Sequence, residues 1–233
     1  MFYLIFTCEH GGNEVPPLFQ KLFDPHEAIL CSHQGWDIGA LKIAKSLANN
    51  FSSPLFYSTT TRLLVELNRS LHHPYLFSKI TKGLSTKEKR LILANYYYPY
   101  RLQVESHIQN LISRQQTIVH LSIHSFTPIM GEKIRTADIG LLYDPKNSSE
   151  KEFCESWQVE LQSYFPLRMK IRKNYPYLGK ADGFTSYLRK KFPTNYIGVE
   201  VEINQKYFLE QIIDIDYLQQ LLINSLQKAL DKL

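Results

Sequence analysis

Ile118-Val119-His120-Leu121-Ser122-Ile123, followed by His124, is the stretch on which the fold turns. It is a short apolar run rich in β-branched residues, which reads as a buried strand with a histidine at its carboxyl end. Working outwards, the same reading applies to residues 2–8 and 196–203, and to shorter runs at 55–57, 63–67, 139–143 and 169–172. Helix-period segments fall between them. Residues 36–49 form an amphipathic pattern. Ser85 and Glu88 have capping-box spacing ahead of a helix over 86–95. Pro99 suits the first turn of a long helix over 99–115. Further helices are expected near 149–163, 182–191 and 214–232. Strands interleaved with helices predict an α/β fold in three layers, α/β/α, around a mainly parallel or mixed sheet. No fixed-period repeat and no Pro/Gly/Ser-rich linker divides the chain, so residues 1–233 are expected to form one domain.

Composition narrows the function. Of 233 residues, 44% are hydrophobic and 21% charged, which excludes a disordered tail or low-complexity protein. The net charge of +5 is spread thinly, and the longest basic cluster is Arg189-Lys190-Lys191. That is a solvated helix end rather than a nucleic-acid surface. Three cysteines cannot build a disulfide framework, and none forms a C-x-x-C pair. The apolar opening at residues 1–7 lacks a basic flank and stops at Glu9. No run approaches the ~18 apolar residues of a spanning helix. A cytoplasmic protein with no membrane or nucleic-acid partner is expected; oligomeric state is not legible.

In sheets of this kind ligands bind outside the carboxyl ends of the strands. Polar clusters gather there: Cys8-Glu9-His10-Gly11-Gly12-Asn13, Glu66-Leu67-Asn68-Arg69-Ser70, Ser122-Ile123-His124-Ser125-Phe126 and Glu200-Val201-Glu202-Ile203-Asn204-Gln205. A buried strand ending in His or Glu needs a compensating partner, because an unpaired buried charge costs several kcal/mol. Two histidines from different strand ends plus one or two carboxylates make the ligand set of a catalytic zinc. His10 could instead be a turn histidine, although the glycines after it permit close backbone approach. Asp37 reads from pattern alone as an N-cap or first-turn acid. Glu200 and Glu202 share one face of their strand, and either could pair with Arg62 or Arg69. His120, two side-chain repeats before His124, is expected deeper in the sheet. Cys8 and Cys154 read as core. Ser125 has no nucleophile elbow around it, and no dinucleotide or Walker loop is present.

Several blocks, in order, carry a resemblance: CEHGGNEVP (8–16), HQGWDIGA (33–40), TRLLVELNRS (61–70), FS (77–78), YYPYR (97–101), HLSIHSFTP (120–128), DIGLLYDP (138–145), RKNYPYLGKADG (172–183) and GVEVEINQ (198–205). The series resembles the N-formylglutamate amidohydrolase family from about residue 7 to 206. The resemblance implies a phosphorylase/hydrolase-like α/β domain akin to zinc carboxypeptidases and aspartoacylases. It also implies metal-assisted hydrolysis of N-formyl-L-glutamate to formate and glutamate, a step of histidine degradation. His10 and His124 match the family's histidines as metal ligands, with zinc first among divalent metals. The related carboxypeptidase pattern has a glutamate three residues after its first histidine. Asn13 stands there, so Asp37 becomes the third ligand candidate, with Glu9 and Glu14 behind it. Glu202 takes the place of the general base, with Glu200 as its alternate. Arg62, Asn68 and Arg69 would bind substrate, and Arg135, Arg172 and Asn174 are second candidates for its other carboxylate. Two alternatives stand beside this reading: a zinc deacylase for another N-acyl amino acid, and a non-catalytic anion-binding module of the same fold.

Overall fold

The computed structural model describes residues 2–164 and 169–233, so Met1 of the opening run lies outside it. Among the described residues eight strands are formed: β1 (Phe2–Cys8), β2 (Leu55–Tyr57), β3 (Thr117–Phe126), β4 (Ile129–Met130), β5 (Lys133–Ile134), β6 (Ile139–Leu142), β7 (Ile171–Lys173) and β8 (Tyr196–Asn204). Two single-turn helices, α1 (Gln20–Phe23) and α2 (Glu27–Leu30), precede α3 (Ala40–Asn50). Then come α4 (Thr86–Ile92), α5 (Tyr98–Ser113), α6 (Ser148–Tyr164), α7 (Phe184–Lys191), α8 (Lys206–Leu209) and α9 (Ile215–Leu230). No helix among the described residues is long and apolar enough to cross a membrane.

Six strands form one mixed sheet in the order β2-β1-β3-β8-β6-β7, and β4 and β5 form a separate hairpin turned at Gly131. Pairing is parallel except between β8 and β6. The sheet is covered on both sides, as the alternation of strands and helices predicts. On one face Phe6, Leu121, Ile123, Val199 and Val201 pack against Ile43 and Leu47 of α3, Trp157 of α6 and Leu222 of α9. On the other, Ile5, Ile118 and Tyr196 meet Val104 and Ile108 of α5 and Phe184 of α7.

That second face changes character along the strands. Since side chains alternate with period two, it continues from Ile118 to His120, Ser122 and His124, and on β8 from Gly198 to Glu200 and Glu202. The register sets Ser122 beside Glu200 and His124 beside Glu202. Burial is nevertheless complete for His120 and Ser122, so each polar group there must find a partner inside the protein.

Three local expectations are corrected. Residues 63–67 are a packed turn rather than a strand. Leu64 and Val65 are core residues, but their segment is tied by turn bonds from Leu64 N to Thr61 O and Glu66 N to Leu76 O. The helix expected over 36–49 begins only at Ala40, after Gly39 in the left-handed region (φ 82°). Asp37 therefore caps nothing with its side chain and is free to turn inward. The helices expected over 86–95 and 99–115 are joined by a wider helical turn at Leu93–Tyr97 and do not break. The Ser85–Glu88 capping box is formed.

Candidate active site

The carboxyl ends of β1, β3 and β8 open on a cavity of about 630 Å³. Its lining includes His10, Asp37, Arg62, Asn68, Arg69, His124, Glu200 and Glu202. His10 follows β1 directly, and its backbone carbonyl accepts from Asp37 N at 3.0 Å, which ties the turn before α3 to the end of the first strand. One ligand atom each of His10, Asp37 and His124 lies within 4.8 Å of the other two, and all three side chains are buried. His10 Nδ1 stands 3.2 Å from Asp37 Oδ2, and His124 Nδ1 stands 2.8 Å from the same oxygen. The two imidazoles are 5.0 Å apart, centroid to centroid.

Around this centre the charges are dense. Arg62 donates to Asp37 Oδ1 at 3.0 Å and, through Nε at 2.8 Å and a terminal nitrogen at 2.6 Å, to Glu66 Oε2. Glu66 Oε1 in turn accepts from His10 Nε2 and from Asn68 N. Behind His124, Glu9 Oε2 lies 3.2 Å from Nε2 and accepts from Ser122 Oγ at 2.6 Å, while Glu9 Oε1 accepts from Tyr100 OH at 2.9 Å. Burial opposes ionisation of Asp37, but His10, His124 and Arg62 hold its carboxyl well below the usual range. Burial and Arg62 disfavour an imidazolium at His10, yet Glu66 and Asp37 raise it above its ordinary value. His124 is raised further, with burial outweighed by Asp37 and Glu9. Two imidazole nitrogens and a carboxylate oxygen converging at these distances are what a divalent transition metal takes as ligands. The donor set fits such an ion.

Glu202 is different in kind. Its side chain is buried beside His124, and Oε2 has no hydrogen-bond partner among the described residues. Burial pushes its carboxyl up to about 7; His124 pulls the other way, while Asp37 and Glu200 add to the rise. A carboxyl poised near neutrality inside a cavity is suited to proton transfer. Glu200, one repeat deeper, accepts from Thr185 Oγ1 at 2.8 Å and is already engaged.

The remaining expected residues separate clearly. Arg69 lines the cavity and donates to Asp182 O. Asn68 Oδ1 accepts from Phe184 N at 2.6 Å, which joins this turn to the start of α7. Arg135, just past the hairpin, is not itself a lining residue, but it lies 3.2 Å from Tyr177 OH and over the rings of Phe126 and Tyr177, both of which line the cavity. Arg172 and Asn174 are not among the lining residues. Arg172 is an exposed β7 side chain stacked on Tyr175. Asn174 Oδ1 accepts from Tyr143 N and Gly179 N and serves the loop. Glu9 is walled behind His124, and Glu14 accepts from Thr59 at an exposed position. His120 bonds Thr7 and Tyr196 inside the sheet, as expected, and burial lowers it to about 4. Glu66 stands in one of the polar clusters expected near the site, but sequence reasoning assigned it no role. The available signal was a carboxylate inside the apolar run Leu63-Leu64-Val65-Glu66-Leu67, which cannot be buried without a cation or donor.

No curated protein matches the sequence. In fold the chain is similar to a gene product of Agrobacterium tumefaciens, with 24% identity, 98% of this chain and 90% of that one covered, and a TM-score of 0.82. It is similar also to N-formylglutamate amidohydrolase from Ralstonia eutropha JMP134, with 17% identity, coverage of 99% and 93%, and a TM-score of 0.71. The sequence model of N-formylglutamate amidohydrolase matches residues 2–209. With nearly the whole length matched, this chain belongs to the N-formylglutamate amidohydrolase family and is a hydrolase acting on an amide bond.

Proposed function

We propose that the protein hydrolyses N-formyl-L-glutamate to formate and L-glutamate as a cytoplasmic step of histidine degradation, with a divalent cation, zinc first, held by His10, Asp37 and His124. One observation carries the reading: three ligand atoms converge within 4.8 Å of one another beside a buried glutamate with an oxygen that no described residue partners. The chemistry a divalent cation supplies when bound is Lewis acidity, which polarises an acyl oxygen and lowers the pKa of water.

The chain's own residues supply the rest. Glu202, ionised, accepts at Oε2 the proton of the water that attacks the formyl carbon. It then delivers that proton to the departing amide nitrogen. Its carboxyl near 7 leaves a useful fraction ionised at neutral pH without making it too weak a base. Arg62 is committed to Asp37 and Glu66, so its role is to keep those carboxylates charged and in place. Arg69 and Arg135 have guanidinium arms that no carboxylate occupies among the described residues. They are the forks for the substrate's two carboxylates, where planar bidentate contacts fix orientation. Glu200 holds Thr185 and stands as the alternate base.

The test is direct. Purified protein treated with chelator should lose deformylation of N-formyl-L-glutamate and regain it with Zn²⁺. His10→Ala and His124→Ala should each abolish turnover. Protein that binds no divalent metal, and that deformylates nothing after metal is added, overturns the proposal. A cavity of about 630 Å³ also has room for a bulkier acyl group. The N-acetyl and N-succinyl glutamates therefore belong in the same assay, and a preference for one of them would move the substrate while keeping the chemistry.

A further inference from the structure

Hydrogen-bond bookkeeping behind the two histidines leads further. At His124, Nε2 has two close neighbours, Ser122 Oγ at 2.9 Å and Glu9 Oε2 at 3.2 Å, with the Asn68 amide nitrogen farther off at 3.5 Å. Ser122 is already donating its only proton to Glu9 Oε2 at 2.6 Å, so towards the ring it offers lone pairs. An ionised carboxylate also only accepts. Both close neighbours therefore require a proton on His124 Nε2, and they outweigh the Asn68 amide, which at 3.5 Å is the weakest of the three contacts. At His10 the same logic holds, because Nε2 faces Glu66 Oε1, and Glu66 accepts besides from Arg62 and Asn68 N. A ring turned over would set carbon against these carboxylates and against Asp37, so neither imidazole can reverse without losing bonds on both sides.

We propose that Glu9 and Glu66 are a matched pair of positioning residues, which pin His124 and His10 as Nε2–H tautomers so that both Nδ1 lone pairs face Asp37 Oδ2. The proposal rests on the metal reading above, since two imidazole lone pairs facing one carboxylate oxygen at 2.8 and 3.2 Å are repulsive unless a cation lies among them. Neither glutamate is a ligand: each touches the far nitrogen of its ring. The two supports are built independently. Glu66 is held by Arg62 from its own turn, and Glu9 by Tyr100 of α5 and Ser122 of β3. Tyr100 thereby acquires a role, tying the helix layer to the cation site through one carboxylate. A carboxylate behind a ligating imidazole raises its basicity and fixes its direction, typically worth 10–100-fold in metal affinity.

The experiment is chelator competition with Zn²⁺ on wild type, Glu9→Gln and Glu66→Gln, together with the visible absorption of each protein loaded with Co²⁺. Each variant should bind Zn²⁺ about 10–100-fold more weakly and show an altered Co²⁺ spectrum, a readout that loss of packing elsewhere would not mimic. Affinities within about twofold of wild type with an unchanged Co²⁺ spectrum overturn the proposal. Should a variant fail to fold, two-bond ¹H–¹⁵N spectra of the Zn²⁺-loaded wild type decide the matter: both rings must carry their proton on Nε2, and a proton on Nδ1 of either overturns it. Wild type that binds no Zn²⁺ at all overturns the metal reading itself, an outcome distinct from intact binding in wild type and variants alike.

Discussion

Replacing Glu202 by Gln in the metal-free protein tests the electrostatics of the site apart from any assay of turnover. The side chain is buried, and its carboxyl is raised from 4.5 to about 7, with burial the largest cause. A carboxyl whose folded pKa lies above its unfolded value binds more protons folded than unfolded between those two pH values. Stability therefore falls as pH rises from 4.5, and the whole cost is in place once pH exceeds about 7. A shift of this size corresponds to about 3 kcal/mol. For a chain of this length that is about 6–12 °C in Tm. Gln keeps the volume, and its own burial cost is the same at every pH. The quantity to read is thus the Tm of Glu202→Gln minus that of wild type, from thermal melts in chelator between about pH 4.5 and 8.5. The gap should widen in favour of the variant by several degrees across that range and level off above neutrality. A gap that is flat to about 2 °C would mean the carboxyl ionises in the fold as easily as in water, and the general-base assignment would lose its physical ground.

Arg69→Ala should raise KM for N-formyl-L-glutamate about tenfold or more, the scale of a lost charge-assisted contact, whereas Arg172→Ala should leave kcat and KM unchanged because that side chain lies outside the cavity; steady-state kinetics separate the two. Gly39→Ala should destabilise the fold by about 2–5 kcal/mol in urea melts, combining left-handed strain with overpacking, since φ is 82° there and a Cβ would fall on the Phe208 ring.

Where backbone and burial pull together, the sequence was legible. The strands β1, β3 and β8 are near-continuous apolar runs, so their presence and the residues at their carboxyl ends follow from pattern. His10, His124 and Glu202 came with them. Asp37 was harder, because an acid ahead of a helix reads as a cap; only its contacts with His10, His124 and Arg62, which lie far away in sequence, show that the carboxylate is aimed elsewhere. The 61–70 block misled for a related reason. Its apolar residues are buried as a strand's would be, yet the chain is held by turn bonds, and no local period distinguishes the two. Glu66 was hidden by that error, since its partners His10 and Arg62 meet only in three dimensions. Arg172 and Asn174 show the converse. They sit in a block shared with the family, but that block spends them on an exposed strand edge and a loop tie.

The spread of the site along the chain has a consequence for how the protein is made. His10, Asp37, His124 and Glu202 come from three strand ends and a turn, and β8 fits between β3 and β6 only after every other strand of the sheet has been made. A nascent chain still short of residue 202 carries both imidazoles but neither the proposed base nor the complete strand that pairs with β3 on the side away from β1. Pairings so distant in sequence form late, because loop closure must come first. On the proposed reading, an ion held by His10, Asp37 and His124 gains its neighbouring base only once β8 has paired with β3, and a product cut short before Glu202 would carry both histidines without that base.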